Sequence, residues 1–201
     1  MSAPGRPRPP AGTSRYTWVV GAFALIALAY ITLNTLGTDA PGSRGVANGK
    51  RLPPFAVPLA LSNLGGDAQV DPAKACRVRG PKVLNSCELA EHGPVAIAFF
   101  AIRSKRCERQ IDVLERVRRR FPEVGVAAVS VRGDRARVRR LVRRHGWGMP
   151  VGYDHDGAVT NAYAVAICPT ITFARRGGMV AGTSFALLGE RALAARLEAL
   201  R

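Results

Sequence analysis

The sequence predicts an α/β domain, a mixed β-sheet flanked by helices, carried behind one N-terminal transmembrane helix. Three observations carry this. Residues 16–38 hold no charged side chain. From residue 95 onward, apolar runs of strand length alternate with amphipathic helical patterns. Near the C-terminus, Gly177-Gly178 joins two further apolar runs in the manner of a tight hairpin.

The first element is the uncharged segment, whose core, residues 18–36, is almost wholly apolar. A hydrocarbon layer of ~30 Å takes about 20 such residues at helical rise. Trp18 suits one membrane interface. A cleaved signal peptide is the rival reading, but its apolar region usually runs about 7–15 residues and no clear small-x-small site follows. Arg6, Arg8, Arg15 and the amino terminus precede the segment, and Asp39 follows it. That asymmetry predicts a cytoplasmic tail over 1–15, a membrane span over 16–38 and a linker over 39–51. The remaining chain, 52–201, is then expected outside the cytoplasm, at the cell membrane, where disulfides persist.

Within that domain, residues 55–61 read as a short extended start interrupted by proline. Residues 65–93 read as an irregular, cysteine-containing insertion. Val95–Phe100 is a continuous apolar run, as expected of a strand buried on both faces. Residues 104–120 read as a helix with Ile111, Leu114, Val117 and Phe121 near one face, closed by Pro122. Residues 124–131 form a second apolar strand. Asp134 caps the next helix, which carries Val138, Leu141 and Val142 on its core stripe and is stopped by Gly146. A short strand near Val151, a helix over 157–163, strands over 170–173 and 179–183, and a helix over 191–200 complete the order.

Composition sets further bounds. Of 201 residues, 47% are hydrophobic, which is ordinary for a globular domain. The formal net charge of +16 is not ordinary; 26 of the 30 basic residues are arginine, against 14 acids. Such a surface favours anionic partners. No nucleic-acid-reading motif accompanies the charge, so nucleic acid is not expected as a partner. Anionic lipid or an acidic protein is the economical partner for the Arg-rich helices, and a merely solvated helix face is the plain alternative. His92, His145 and His155 are isolated in sequence and read as surface or loop residues. Trp147, between two glycines, reads as a plug packed under a loop. No metal ligand set and no cofactor motif is found. Cys76 and Cys87 are close enough in sequence to staple the insertion with a local disulfide, worth ~2–3 kcal/mol for a loop of that size.

Two stretches then carry a resemblance. Residues 99–107, Phe-Phe-Ala-Ile-Arg-Ser-Lys-Arg-Cys, run from a strand into a helix start; residues 167–173, Ile-Cys-Pro-Thr-Ile-Thr-Phe, run from a proline turn into a strand. Together with the element order they resemble the thioredoxin-like fold, and more narrowly the membrane-anchored redoxins of the TlpA/ResA type, related to the AhpC/TSA group. The resemblance covers roughly residues 52–201. It implies that Pro169 is cis, and that Pro169 and Thr170 border the groove where substrate backbone docks. It also places Ser104 where the family carries its attacking cysteine, and keeps Cys107 at the second position. Serine cannot attack a disulfide in the way a thiolate does, so the usual Cys-x-x-Cys relay is absent.

Three functions follow as expectations. The first is thiol–disulfide exchange on protein thiols, using Cys107 with Cys168, if their Cα atoms lie within ~7 Å. The second is a thiol peroxidase acting on peroxide, with Cys107 as the attacking thiolate; the stretch Ser104-Lys-Arg-Cys107 fits the second half of the peroxiredoxin motif, although Phe100 stands where that motif has proline. The third is a redox-inactive binding domain with structural disulfides. With Ser104 as N-cap, Cys107 falls at the third helical position, near unpaired N–H groups and among Arg103, Lys105, Arg106 and Arg109. All of these favour thiolate, whereas burial opposes it.

Overall fold

The architecture is organised by one strand. In this computed structural model, which describes residues 15–37 and 45–201, β3 (Val95–Phe100) is buried along its whole length and lies at the centre of a five-stranded sheet of order β5-β4-β3-β6-β7. Its side chains alternate between two cores, as the two-residue period of a strand requires. Ala96, Ala98 and Phe100 join one apolar cluster, while Val95, Ile97 and Phe99 join the other.

β4 (Gly125–Val131) and β5 (Val151–Asp154) continue the sheet in parallel on one side of β3. On the other side, β6 (Thr170–Ala174) and β7 (Val180–Ser184) run antiparallel, joined through Gly177 and Gly178, both at positive φ. Parallel neighbours need a crossover, and helices α4 (Lys105–Arg118) and α5 (Arg135–His145) supply the two required. Both present the predicted apolar stripes to the first core, which α7 (Glu190–Glu198) completes through Leu193 and Leu197. Asp134 caps α5 by accepting from the Ala136 N–H, and Gly146 ends it in the left-handed region at φ 65°.

The second core is closed by α6 (Ala158–Ala162) with Tyr163, and by elements of the insertion. Residues 65–93 are not irregular throughout, as the sequence reading had them. They hold α2 (Pro72–Ala75), β2 (Val83–Asn85) and α3 (Ser86–His92), and β2 pairs antiparallel with β1 (Ala56–Pro58). Capping makes these short elements possible. Asp71 accepts from Ala73 N–H with Pro72 at the first helical position, and the Asn85 carboxamide accepts from Cys87 and Glu88 N–H while donating to the carbonyls of Ala75 and Val78. β1 lies so close to β5 that a Cβ at Gly152 would meet Val57 Cγ2 at 2.6 Å. Before β1, Gly49 and Leu52 donate to Val180 and Gly178 carbonyls, so the segment from residue 49 follows the β7 hairpin.

The described residues up to 37 belong to a compact unit of their own. Its helix α1 (Arg15–Gly37) is 23 residues long, and its side chains from 18 to 33 are exposed. Counting only the described residues, no helix is long and apolar enough to cross a membrane; the apolar run of the sequence continues to Leu36, beyond those side chains. The predicted tail up to residue 14, Thr38 at the end of the predicted span, and residues 39–44 of the predicted linker lie outside the described residues.

Candidate active site

β3 ends at Phe100, and the chain turns into α4 through Ala101, Ile102 and Arg103, the last at φ 67°. Ser104 is the N-cap by backbone conformation, and its carbonyl accepts from Glu108 N–H at 2.9 Å. Its side chain makes no capping bond to the helix. Instead, Ser104 Oγ sits 2.9 Å from Cys107 Sγ. A disulfide sulfur carries no hydrogen, so the hydroxyl donates and the sulfur accepts.

The partner sulfur arrives by sheet register. Phe99 of β3 pairs with Thr170 at the start of β6, so the residues just before β6 fall beside the start of α4. The Cys168–Pro169 bond is cis, and Cys168 Sγ lies 3.6 Å from the Phe99 carbonyl oxygen. Cys107 and Cys168, 61 residues apart, are joined by a disulfide with Cα atoms 5.7 Å apart. The two sulfurs differ in environment. Cys107 is 1% exposed and packed into the first core, while Cys168 is half-buried at its edge. Arg103, Lys105, Arg106 and Arg109 around the helix start are all exposed. Pro169 and Thr170 are buried, and the Thr170 hydroxyl donates to the Ile167 carbonyl at 2.7 Å, tying the proline turn to its strand. Ile167, by contrast, is 52% exposed beside the disulfide.

Cys76 and Cys87 form the other disulfide, with a Cα separation of 5.4 Å, linking the end of α2 to the first turn of α3. Among the described residues, no group of three or more His, Cys, Asp or Glu side chains is placed to hold a metal ion.

Several polar residues behind the site were not evident in sequence. Asp112 of α4 accepts from Trp147 Nε1 at 2.7 Å and lies 2.8 Å from His145 Nδ1. The other nitrogen of that ring is 3.7 Å from Glu108. His145 is therefore not an isolated loop residue: it stacks on the buried Trp147 and joins α5 to α4. One turn further, Glu115 is 5% exposed and accepts from Arg118 and from the Gly148 and Met149 N–H groups. Burial pushes its carboxyl up, but the Arg118 guanidinium and those two amides outweigh burial and hold it below the ordinary glutamate range. Gln110, fully buried, exchanges two hydrogen bonds with the backbone of Leu188. Spacings of three and four along α4 were the only available signal for these contacts, and they specify a face without naming the partner.

No family model matches the chain, and no curated protein matches it. Solved structures do. A secreted Mycobacterium tuberculosis disulfide oxidoreductase homologous to E. coli DsbE aligns with a TM-score of 0.55 and 20% identity, covering 59% of this chain and 90% of that one. The MTB DsbF protein, solved in mixed oxidised and reduced forms, aligns with 0.55 and 21%, over 59% and 88%. A thiol:disulfide interchange protein of the thioredoxin family from Chlorobium tepidum aligns with 0.61 and 13%, over 77% and 98%. At such identities the likeness speaks to architecture, and with the sheet order and helix placement above it establishes that this chain has a thioredoxin-like α/β fold.

Proposed function

We propose that the domain is a thiol–disulfide oxidoreductase of redoxin type whose redox couple is Cys107–Cys168, held outside the cytoplasm by the predicted membrane anchor over 16–38. One observation carries the redox reading: a disulfide joins a cysteine in the first turn of α4 to a half-exposed cysteine directly before a cis-proline. The solved structures of similar fold include proteins named as disulfide oxidoreductases and thiol:disulfide interchange proteins. The anchor is supported by the uncharged apolar run and the charge asymmetry around it. The outer location is supported in addition by two disulfides in one small domain.

The difference in burial assigns roles. A substrate thiolate attacks Cys168 Sγ, the accessible sulfur, forming a new S–S bond as the Cys107–Cys168 bond breaks. The electron pair of the broken bond leaves on Cys107 as thiolate, where the N-terminal end of α4 and the Ser104 hydroxyl receive the charge. A second substrate thiolate then attacks the substrate sulfur of the mixed disulfide, releasing substrate disulfide and Cys168 thiolate. Two electrons pass from the substrate dithiol to the protein. The reverse sequence reduces a substrate disulfide, with an external dithiol restoring the reduced protein. A peroxidase centred on Cys107 would need that sulfur open to peroxide, and 1% exposure does not favour it.

The test is asymmetric. With Cys107→Ser, Cys168 is expected to accumulate a stable mixed disulfide when offered a cystine-containing peptide, visible by intact mass. With Cys168→Ser, the buried Cys107 is expected to form little or none. Equal trapping by both variants removes the role assignment. A wild-type disulfide that neither millimolar dithiol nor peptide opens under native conditions removes the enzyme reading and leaves a binding domain. Peroxide consumption that depends on Cys107 alone gives the peroxidase instead.

A further inference from the structure

The arginines of α5 divide into two sets. Arg135 and Arg139 are built into the fold: both donate to backbone carbonyls of residues 59–64. Arg137, Arg140 and Arg144 follow at spacings of three and four along one face, with Leu141 among them. These three, together with Arg103, line a cavity of about 270 Å³ between α5 and the start of α4. Ile102 and Leu141 supply apolar wall, and Glu108 is the one carboxylate lining it. Arg137 has an acid within 4 Å, Asp134 at 3.6 Å; Arg103, Arg140 and Arg144 have none among the described residues.

Four guanidiniums around so small a space repel one another, and one carboxylate does not balance them. The cavity also adjoins the redox site along the chain. Arg103 directly precedes Ser104, Glu108 directly follows Cys107, and Ile102 packs against the core cluster that contains Cys107. A guanidinium recognises a carboxylate bidentately, through two parallel N–H donors, and the attraction grows where apolar wall lowers the local dielectric.

We propose that this cavity binds an acidic side chain, Asp or Glu, lying near the reactive cysteine of a protein substrate, so that the site selects thiols in acidic segments. The proposal rests on the thiol–disulfide reading for its substrate, though the binding it predicts does not require turnover.

The experiment uses the full chain and two labelled peptides, one carrying four glutamates and its glutamine counterpart, each made without cysteine and again with a cysteine pair. In fluorescence anisotropy at low salt, the cysteine-free glutamate peptide is expected to bind at least tenfold more tightly than the glutamine peptide. Arg140→Gln with Arg144→Gln should weaken that binding about tenfold. Arg175→Gln with Arg191→Gln, an equal charge change at two exposed arginines elsewhere, should change it less than twofold. With the cysteine pair present, the glutamate peptide should exchange with the disulfide about tenfold faster, an advantage lost in the cavity variant. Equal weakening by the two double variants, or no preference for glutamate, overturns the proposal. So does cavity-dependent binding to vesicles of anionic lipid without peptide binding, which assigns the arginines to a membrane surface. Peptide binding without exchange on either peptide sustains the cavity and defeats the redox reading; equal exchange of both peptides without selective binding does the reverse.

Discussion

Ser104 cannot attack a disulfide as a thiolate does, but it holds a hydrogen bond to one. In the oxidised protein its hydroxyl meets a neutral sulfur at 2.9 Å. When the disulfide opens, that sulfur becomes a thiolate, and the same contact becomes a charge-assisted bond. An interaction that strengthens along the reaction accelerates it. Hydrogen bonds to charged groups exceed neutral ones by about 1 kcal/mol, so Ser104→Ala should slow opening of the disulfide by a small thiolate about three- to tenfold. Stability should respond weakly. Removing a working N-cap costs ~1 kcal/mol, but this side chain makes no capping bond. Stopped-flow rates and urea unfolding on the same variant separate the two roles. An unchanged rate with a full capping loss would make Ser104 a structural residue only.

At the scale of elements, α4 is positioned from behind by its polar contacts to the turn after α5. Glu115 holds the Gly148 amide and the amide of the buried Met149. Glu115→Gln should cost about 2 kcal/mol at pH 7, through the loss of charge-assisted bonds to Arg118 and the two amides. The carboxyl is held below its ordinary value of 4.5 in the folded protein, so its contribution is complete above that value and is lost as pH falls through the lowered one. The gap between wild type and variant in urea unfolding should therefore be constant from pH 7 to about 5 and narrow below about 4. A gap that widens in acid would reverse the assignment. This clamp also marks how far the sequence could be read. The buried strand β3, the stripe of α4 and the caps Asp134 and Gly146 rest on local pattern, and each was legible at nearly its final boundaries. The insertion was not, because its strand and helices are stabilised by the caps Asp71 and Asn85 and by pairing with β1, about thirty residues away. Asp112, Glu115 and His145 were not legible either, since a polar residue on a helix face does not disclose what packs over it. Cys107 and Cys168 were named as a pair only through the resemblance; spacing alone connects neither to the other, and the register of Phe99 with Thr170 is what brings them together.

For the molecule as a whole, the Cys107–Cys168 bond is at once a structural tie and the proposed redox couple, and linkage makes these one quantity. Closing a loop of 61 residues stabilises the folded state by roughly 4 kcal/mol through the entropy of the unfolded chain. By the thermodynamic cycle, any such stabilisation makes the disulfide harder to reduce in the folded protein than in the unfolded one, about 30 mV for each 1.4 kcal/mol. The start of α4 and the Ser104 hydroxyl act in the opposite sense, because they stabilise the thiolate of the reduced protein and so favour opening. The measured gain in stability on oxidation should therefore fall short of about 4 kcal/mol. The measurement needs the other disulfide out of the way. Cys76→Ser with Cys87→Ser should itself cost close to 3 kcal/mol for its eleven-residue separation, and should leave exchange at Cys168 unchanged. In that background, urea unfolding of the oxidised and reduced forms gives the gain directly. A value well below 4 kcal/mol marks a disulfide poised to accept electrons from protein thiols. One at or above that figure means that the helix start does nothing for the thiolate, and that the bond serves to hold β6 against α4 rather than to exchange.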